Sequence, residues 1–306
     1  MDDRFSKPKS VGEILDHTFT LSRNHFKKFM TVLLSIMGPV YLIDALFQVG
    51  AGKPLFRDKS GEGDWFEQMM ASFEGSGEVD PSFMTAEFVG IGVTALLSLF
   101  LFPIAQAAIL FAVNHVRKNE EYTVGSVFKL ALSRYWAMLG SSILYFLMAI
   151  AFITIPTIGI VAGGMIGGLF NDATGIILTV IGSIGLFLVV VLLLTRFSFY
   201  FGSVVLDRKS PGLGRSWKLT KKRTWKLLGI YIVFSLITTI ISASVEMAFT
   251  AFLGSSVLLS VIISLVSILT TMFFSVGYCV IYLDLKVRNE ADDLKELLSE
   301  YEPLSS

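Results

Sequence analysis

Residues 125–140 read G-S-V-F-K-L-A-L-S-R-Y-W-A-M-L-G, and residues 214–229, 89 positions later, read G-R-S-W-K-L-T-K-K-R-T-W-K-L-L-G. Seven of these sixteen positions are identical, and Phe128 answers Trp217 in character, where chance would give roughly one identity. Each copy runs directly into a long apolar stretch. The repeated unit is therefore a basic, aromatic lead-in helix feeding a membrane hairpin. A looser copy opens the chain, with Phe19, Leu21, Arg23 and Phe26 matching in kind at slipped spacing.

Working outward, 53% of the residues are apolar and only 16% are charged, against about 25% in a soluble protein. Such a chain belongs in a bilayer. A spanning helix takes about 20 mostly apolar residues, and six stretches qualify: 29–50, 88–113, 138–161, 176–196, 227–253 and 257–283. Residues 1–28 are polar and charged, so no cleaved leader is expected. The expected fold is an all-α integral membrane protein. Its six transmembrane helices form three hairpins, each preceded by a cytoplasmic-side amphipathic helix, within one membrane domain. The first helix and hairpin fill 10–113, the second 123–206 and the third 212–283, and a tail runs over 284–306.

The 25 basic residues set the orientation. Six lie before residue 29, four in 114–137, eight in 207–226 and three after residue 283, while the opposite side holds only Lys53, Arg57 and Lys59. The positive-inside rule then puts both termini in the cytoplasm of a prokaryotic plasma membrane. The zero net charge conceals this asymmetry, because the outer loop 51–87 carries Asp58, Glu62, Asp64, Glu67, Glu74, Glu78, Asp80 and Glu87. A basic inner rim favours anionic headgroups.

The lead-in helices have readable starts. Thr123 is the expected N-cap of a helix whose Val124, Val127, Phe128, Ala131 and Tyr135 share a face, with Lys129 and Ser133 turned away. Ser10 with Glu13 three residues on is a capping-box pattern. In the third copy Leu213 and Trp217 anchor a helix loaded with Arg215, Lys218, Lys221, Lys222 and Arg223, whose hold on the membrane is more electrostatic than apolar.

Eight cations are candidate headgroup contacts: Arg196, Arg215, Lys218, Lys221, Lys222, Arg223, Lys129 and Arg134. Arg196 interrupts an apolar run over 176–206 that, at about 1.5 Å per residue, exceeds a hydrocarbon core of about 30 Å. It either snorkels at the inner boundary or sits at mid-bilayer paired with an acid or a phosphate. A candidate polar path combines Glu246 with Thr239 and Ser242 on the fifth span and Ser264, Ser267 and Thr271 on the sixth. Such hydroxyls equally serve as contacts between membrane helices. Asp44 and Glu246 fall in outer halves of spans, where solvated positions are expected. Gly159, Gly163 and Gly167, with Gly164 and Gly168, form ladders that suit close helix packing or a re-entrant loop, and Asn171 and Asp172 mark the turn.

Soluble catalytic signatures are absent: there is no phosphate loop, nucleophile elbow or cysteine pair. Cys279 reads as a small buried apolar residue. His17, His25 and His115 lack metal-ligand spacing and read as solvated or interfacial. No cofactor, metal or nucleic-acid partner is expected, because Trp217 and Trp225 interleave the basic loop in a pattern suited to a membrane surface. The expected partners are membrane lipids, anionic ones among them, and other membrane proteins.

The stretch 205–213 (V-L-D-R-K-S-P-G-L), continuing through Arg215, Ser216, Trp217, Lys218, Leu219 and Thr220 to Trp225, Leu228 and Gly229, resembles the internal signature of the membrane domain found in glycerophosphoryl diester phosphodiesterases. The opening 12–19 (G-E-I-L-D-H-T-F) and closing 282–288 (Y-L-D-L-K-V-R) are similar to that family's ends. In fused relatives hydrolysis belongs to a separate soluble barrel with its own His-Arg, Glu and Asp motifs. The resemblance therefore implies a stand-alone membrane domain without catalytic residues. The expected function is that of a non-enzymatic accessory or scaffold protein contacting anionic lipids. The alternative is a transporter or lipid-handling protein using the polar path.

Overall fold

The computed structural model describes residues 5, 7–56, 81–169 and 173–301. The charges expected in the outer loop between 57 and 80, and the turn at Asn171 and Asp172, lie outside the described residues. Every regular element among the described residues is helical. In chain order these are α1 (Val11–Asn24), α2 (Phe26–Gly50), α3 (Pro81–Lys118), α4 (Val124–Leu132), α5 (Tyr135–Leu169), α6 (Ala173–Phe197), α7 (Tyr200–Val205), α8 (Leu213–Thr220), α9 (Thr224–Leu253) and α10 (Val257–Tyr301).

Among the described residues six stretches are long and apolar enough to cross a membrane: Phe26–Gly50, Phe88–Lys118, Tyr135–Val161, Thr179–Val205, Thr224–Leu253 and Val257–Ala291. They coincide with the six expected spans. Within the apolar run 176–206 the chain breaks at Ser198 and Phe199 into α6 and α7, so α6 ends at Phe197, close to the expected end of the fourth span, and a serine from α8 bonds the backbone on both sides of the break. The glycine ladder from Gly159 onward is helical through Leu169 and makes no re-entrant loop.

Thr123 caps α4 as its sequence indicates. Its Oγ1 accepts from the Ser126 amide at 3.2 Å while its own amide donates to Ser126 Oγ at 3.0 Å. Two of the four orphan donors at the helix start are thereby satisfied or matched.

The chain divides into two compact units, each drawn from distant segments. The first takes Met1–Asp2, Gly12–Ser133 and Val233–Val280; the second takes Asp3–Val11, Arg134–Ile232 and Ile281–Ser306. Within the first, α2 packs along α3, and α4 lies against both. Phe29, Val32, Leu33, Ile36, Met37 and Val40 form the buried stripe of α2, spaced at helical period. They are joined by Ala105, Ala107, Ala108 and Ala112 of α3, small residues that let helix backbones approach. In the other halves of these helices Leu42, Leu46, Val49, Leu96 and Leu99 are exposed, which suits hydrocarbon rather than water. At that far end Gln48 Nε2 donates to Asp44 at 2.7 Å, and Ser260 Oγ donates to Gln48 Oε1 at 2.7 Å. Asp44 is half-buried and accepts from Gln48 of its own helix.

In the second unit α5 packs along α6, and α8 lies against α6 and α7. Burial again concentrates at one end. Phe199, Val204, Val205, Leu219, Leu227 and Tyr282 are almost fully enclosed, whereas Ile153, Ile158, Ile181, Ile184 and Phe187 are exposed. Each short helix, α4 or α8, therefore packs on the helix pair that precedes it in sequence.

Candidate functional site

Three local devices build the enclosed end of the second unit, and each uses residues from the loop-and-helix stretch 196–226. The first is the break between α6 and α7. Ser216 of α8 donates through Oγ to the Arg196 carbonyl at 2.7 Å and accepts the Phe199 amide at 3.1 Å. Thr220 Oγ1 adds a second contact to the Arg196 carbonyl at 3.2 Å. One buried hydroxyl thus receives the backbone groups on both sides of the break, which keeps the interruption from stranding them inside the protein.

The second device centres on Asp207, whose side chain is 6% exposed. Lys286 Nζ donates to Oδ1 at 2.7 Å, while Tyr282 Oη at 2.8 Å and Arg215 Nε at 3.2 Å donate to Oδ2. Tyr282 also lies 3.3 Å from Ser203 Oγ. Its ring presses on Gly202, where a Cβ would come within 2.7 Å of a ring carbon, so only glycine fits. The loop that follows turns at Gly212, with φ of 77° and room for a Cβ only 2.5 Å from the Tyr200 carbonyl oxygen. Both observations demand glycine there.

Burial alone would raise the Asp207 pKa, but hydrogen bonds from Lys286 and Tyr282 and the charges of Lys286 and Arg215 outweigh it and hold the carboxyl below its ordinary 3.8. The native carboxyl thus binds its proton less readily than the unfolded one. Its stabilising contribution is full above about pH 5 and is lost as pH falls below the ordinary value toward the depressed native one. Thermal unfolding in detergent should be flat across neutral pH for this group and decline below about pH 4.

The third device clasps the N-terminal segment. The Lys9 amide donates to Asp284 Oδ1 at 2.7 Å, Arg288 Nε donates to Asp284 Oδ2 at 2.7 Å, and Arg288 and Lys226 both donate to the Lys9 carbonyl. Asp284 is 6% exposed.

Beside these devices opens a cavity of about 790 Å³, lined on one wall by Val189, Leu192 and Leu193 and elsewhere by Arg196, Lys221, Lys222, Arg223, Thr224, Trp225 and Lys226. No carboxylate is among the described residues that line it. The Arg196 guanidinium stacks 3.5 Å above the Trp217 ring, and its buried Nε makes no hydrogen bond among the described residues. Arg196 occupies the last turn of α6, beside α8, whose Ser216 and Thr220 hydroxyls take its carbonyl.

The eight candidate cations therefore divide. Arg196, Lys221, Lys222 and Arg223 meet at the cavity, whereas Arg215 is taken up by Asp207 and Arg134 points its Nη1 at the Val204 carbonyl, 3.4 Å away. Lys129 and Lys218 are exposed on α4 and α8. A profile for a domain of unknown function, DUF7847, matches residues 65–285, a stretch that takes in the α6–α7 break, the cavity and the Asp207 cluster except Lys286. The chain belongs to the DUF7847 family. No curated protein and no solved structure matches it. The parts that give this DUF7847 chain its enclosed end, Asp207, Ser216 and Tyr282, all lie within the family match, while Lys9 and Arg288 of the clasp lie outside it.

The candidate polar path is not assembled as an enclosed route. Thr239 and Glu246 are exposed, Ser242, Ser264, Ser267 and Thr271 are half-buried, and Ser264 Oγ returns to its own helix at the Ser260 carbonyl, 2.8 Å away. That is the usual resting place of a hydroxyl within a membrane helix. Cys279 is fully buried, with Sγ 3.9 Å from the Leu110 carbonyl, as expected of a small core residue. His17 departs from expectation: it is 4% exposed and packed in the core face of α1, because it shares that face with Ile14, Thr18 and Leu21 at helical spacing. His25 is half-buried, and burial with the nearby Lys28 charge lowers its pKa. Among the described residues no group of His, Cys, Asp or Glu has the arrangement of a metal site.

Sequence reasoning did not find the clasp, for Lys9 takes part through its backbone. It named Asp207, Tyr282, Asp284 and Lys286 as matched positions without a role. The available signal was two acids, Asp207 and Asp284, each placed directly after an apolar span in a basic surrounding.

Proposed function

We propose that this chain is a non-enzymatic accessory or scaffold protein of the membrane whose basic end rests on anionic lipid headgroups. The observation that carries the reading is the pairing of exposed tryptophans with exposed lysines. Trp136 is 79% exposed in the first turn of α5 and Trp225 is 63% exposed in the first turn of α9, and Lys129, Lys218, Lys221 and Lys222 are exposed nearby in sequence. Tryptophan favours the headgroup level, and each lysine near an anionic surface contributes about 1 kcal/mol.

Helix starts support the repeat reading. Val124 and Leu213 open α4 and α8, and Tyr135 and Thr224 open α5 and α9, in both cases 89 residues apart. On this view three hairpins, each with an amphipathic helix on the cytoplasmic side of a plasma membrane, make up the protein. The resemblance to the membrane domain of glycerophosphoryl diester phosphodiesterases then describes a stand-alone relative lacking the barrel that performs hydrolysis.

Reconstitution into nanodiscs of mixed phosphatidylglycerol and phosphatidylcholine tests the reading. The intact chain should retain phosphatidylglycerol several-fold above its bulk share, and K129Q/K218Q/K221Q/K222Q should bring retention close to bulk, each charge contributing at most about 1 kcal/mol. Unchanged retention in the variant would overturn the proposal and leave these lysines only a part in setting topology.

A further inference from the structure

We infer that the cavity beside Arg196 is a binding site for a membrane lipid with a phosphomonoester headgroup, an inference that rests on the anionic-lipid reading and sharpens it to one place and one chemistry. Five cations, Arg196, Lys221, Lys222, Arg223 and Lys226, line the cavity, and no carboxylate is among its described lining residues; Lys226 also donates to the Lys9 carbonyl. Of the five, Arg196 has its Nε buried without a hydrogen-bond partner among the described residues, and an anion accepting from it would supply the missing partner. A phosphomonoester carries about −1.5 to −2 charge at neutral pH with three acceptor oxygens. It matches this set better than a phosphodiester, which carries a single charge.

The donors are prepared for phosphate. Arg196 is held flat against Trp217 at 3.5 Å, which fixes its planar fork before any ligand arrives. Its Nε is buried and makes no hydrogen bond among the described residues, and no salt bridge among the described residues engages it. Across the cavity the 30-residue helix α9 begins at Thr224. The Leu227 amide bonds the Arg223 carbonyl at 3.0 Å, so α9 starts among the residues that line the cavity, Arg223 to Lys226, and a helix start favours an anion. Lys222 adopts a left-handed backbone with φ of 68°, reversing the chain so that the segment after α8 and the first turn of α9 line one cavity.

The lipid source follows from the remaining wall. Val189, Leu192 and Leu193 belong to the spanning stretch Thr179–Val205, and Val189 is 50% exposed. An acyl chain can run along α6 while its headgroup remains among the cations. A soluble phosphate would leave that wall unused. The volume of about 790 Å³ lies within the range of small-molecule sites, about 300–1,000 Å³.

Native mass spectrometry of the full chain in detergent, titrated separately with phosphatidate, phosphatidylglycerol and inorganic phosphate, tests the site. Phosphatidate should bind about tenfold more tightly than phosphatidylglycerol, inorganic phosphate should displace neither, and R196Q should remove the preference. Because R196Q could unseat Trp217, K221Q/K222Q serves as the second variant. Both lysines are exposed, so it should keep the parent melting temperature and still lose the preference. Equal binding of the two lipids, a preference untouched by K221Q/K222Q, or displacement of phosphatidate by inorganic phosphate would each overturn the assignment. If phosphatidylglycerol is still retained above phosphatidylcholine while phosphatidate shows no advantage, this inference fails and the broader reading stands. Loss of all discrimination between anionic and zwitterionic lipid sinks both.

Discussion

Replacing Asp207 with alanine is expected to lower the stability of the protein by about 3–5 kcal/mol, the cost of breaking a buried ion pair from one side. The carboxylate receives Lys286, Tyr282 and Arg215, and its removal strands two cations and a hydroxyl in an enclosed space. Asp207→Asn should cost less, because one acceptor remains. Adding Lys286→Met to Asp207→Ala should restore part of the loss, since the second change removes a charge that the first left unpaired. The readout is thermal unfolding in detergent, followed by tryptophan fluorescence and by size-exclusion profile. A loss under about 1 kcal/mol for Asp207→Ala would mean that water reaches the cluster and that the account given of it is wrong.

Ser216→Ala is expected to cost about 1–3 kcal/mol, the range for depriving a buried polar group of its partner. The substitution removes the acceptor of the Phe199 amide and the shorter of two hydroxyl contacts to the Arg196 carbonyl. Thr220 keeps its longer contact to that carbonyl, so most of the cost falls on the amide. Ser216→Thr preserves the hydroxyl but adds a methyl group at a fully buried position, and its comparison with Ser216→Ala separates lost hydrogen bonding from packing. Hydrogen exchange at Phe199 supplies a local check. Exchange should quicken in Ser216→Ala, and an unchanged rate would show that the break is held by something other than this hydroxyl.

How much of this was legible beforehand depends on the range of the interaction. The spans were legible because twenty apolar residues in a row have few soluble uses, and Thr123 was legible because a cap and its partner lie three residues apart. Cys279 was placed correctly by its apolar surroundings alone. The break after Phe197 was half legible: the fourth span was expected to end at 196, but the serine that bonds the backbone on both sides of the break lies some twenty positions later, in α8. Arg215 reads as one more cation in a basic loop until Asp207 is brought beside it, and His17 reads as interfacial until its helical face is seen to be the buried one. The cavity was half visible: sequence placed its cations within one segment, but only the packing of α8 under α6 brings Arg196 to them.

The clasp on Lys9 also fixes an order of events in biosynthesis. Its donor and acceptor are 275 residues apart, and at about 5–20 residues per second of synthesis the N-terminal segment waits roughly 15–55 s for Asp284 to emerge. Throughout that interval the first helices stand in the membrane with the start of the chain unfastened. The clasp therefore closes only once the chain has been made through Asp284, after the last of the six apolar stretches has begun to fold.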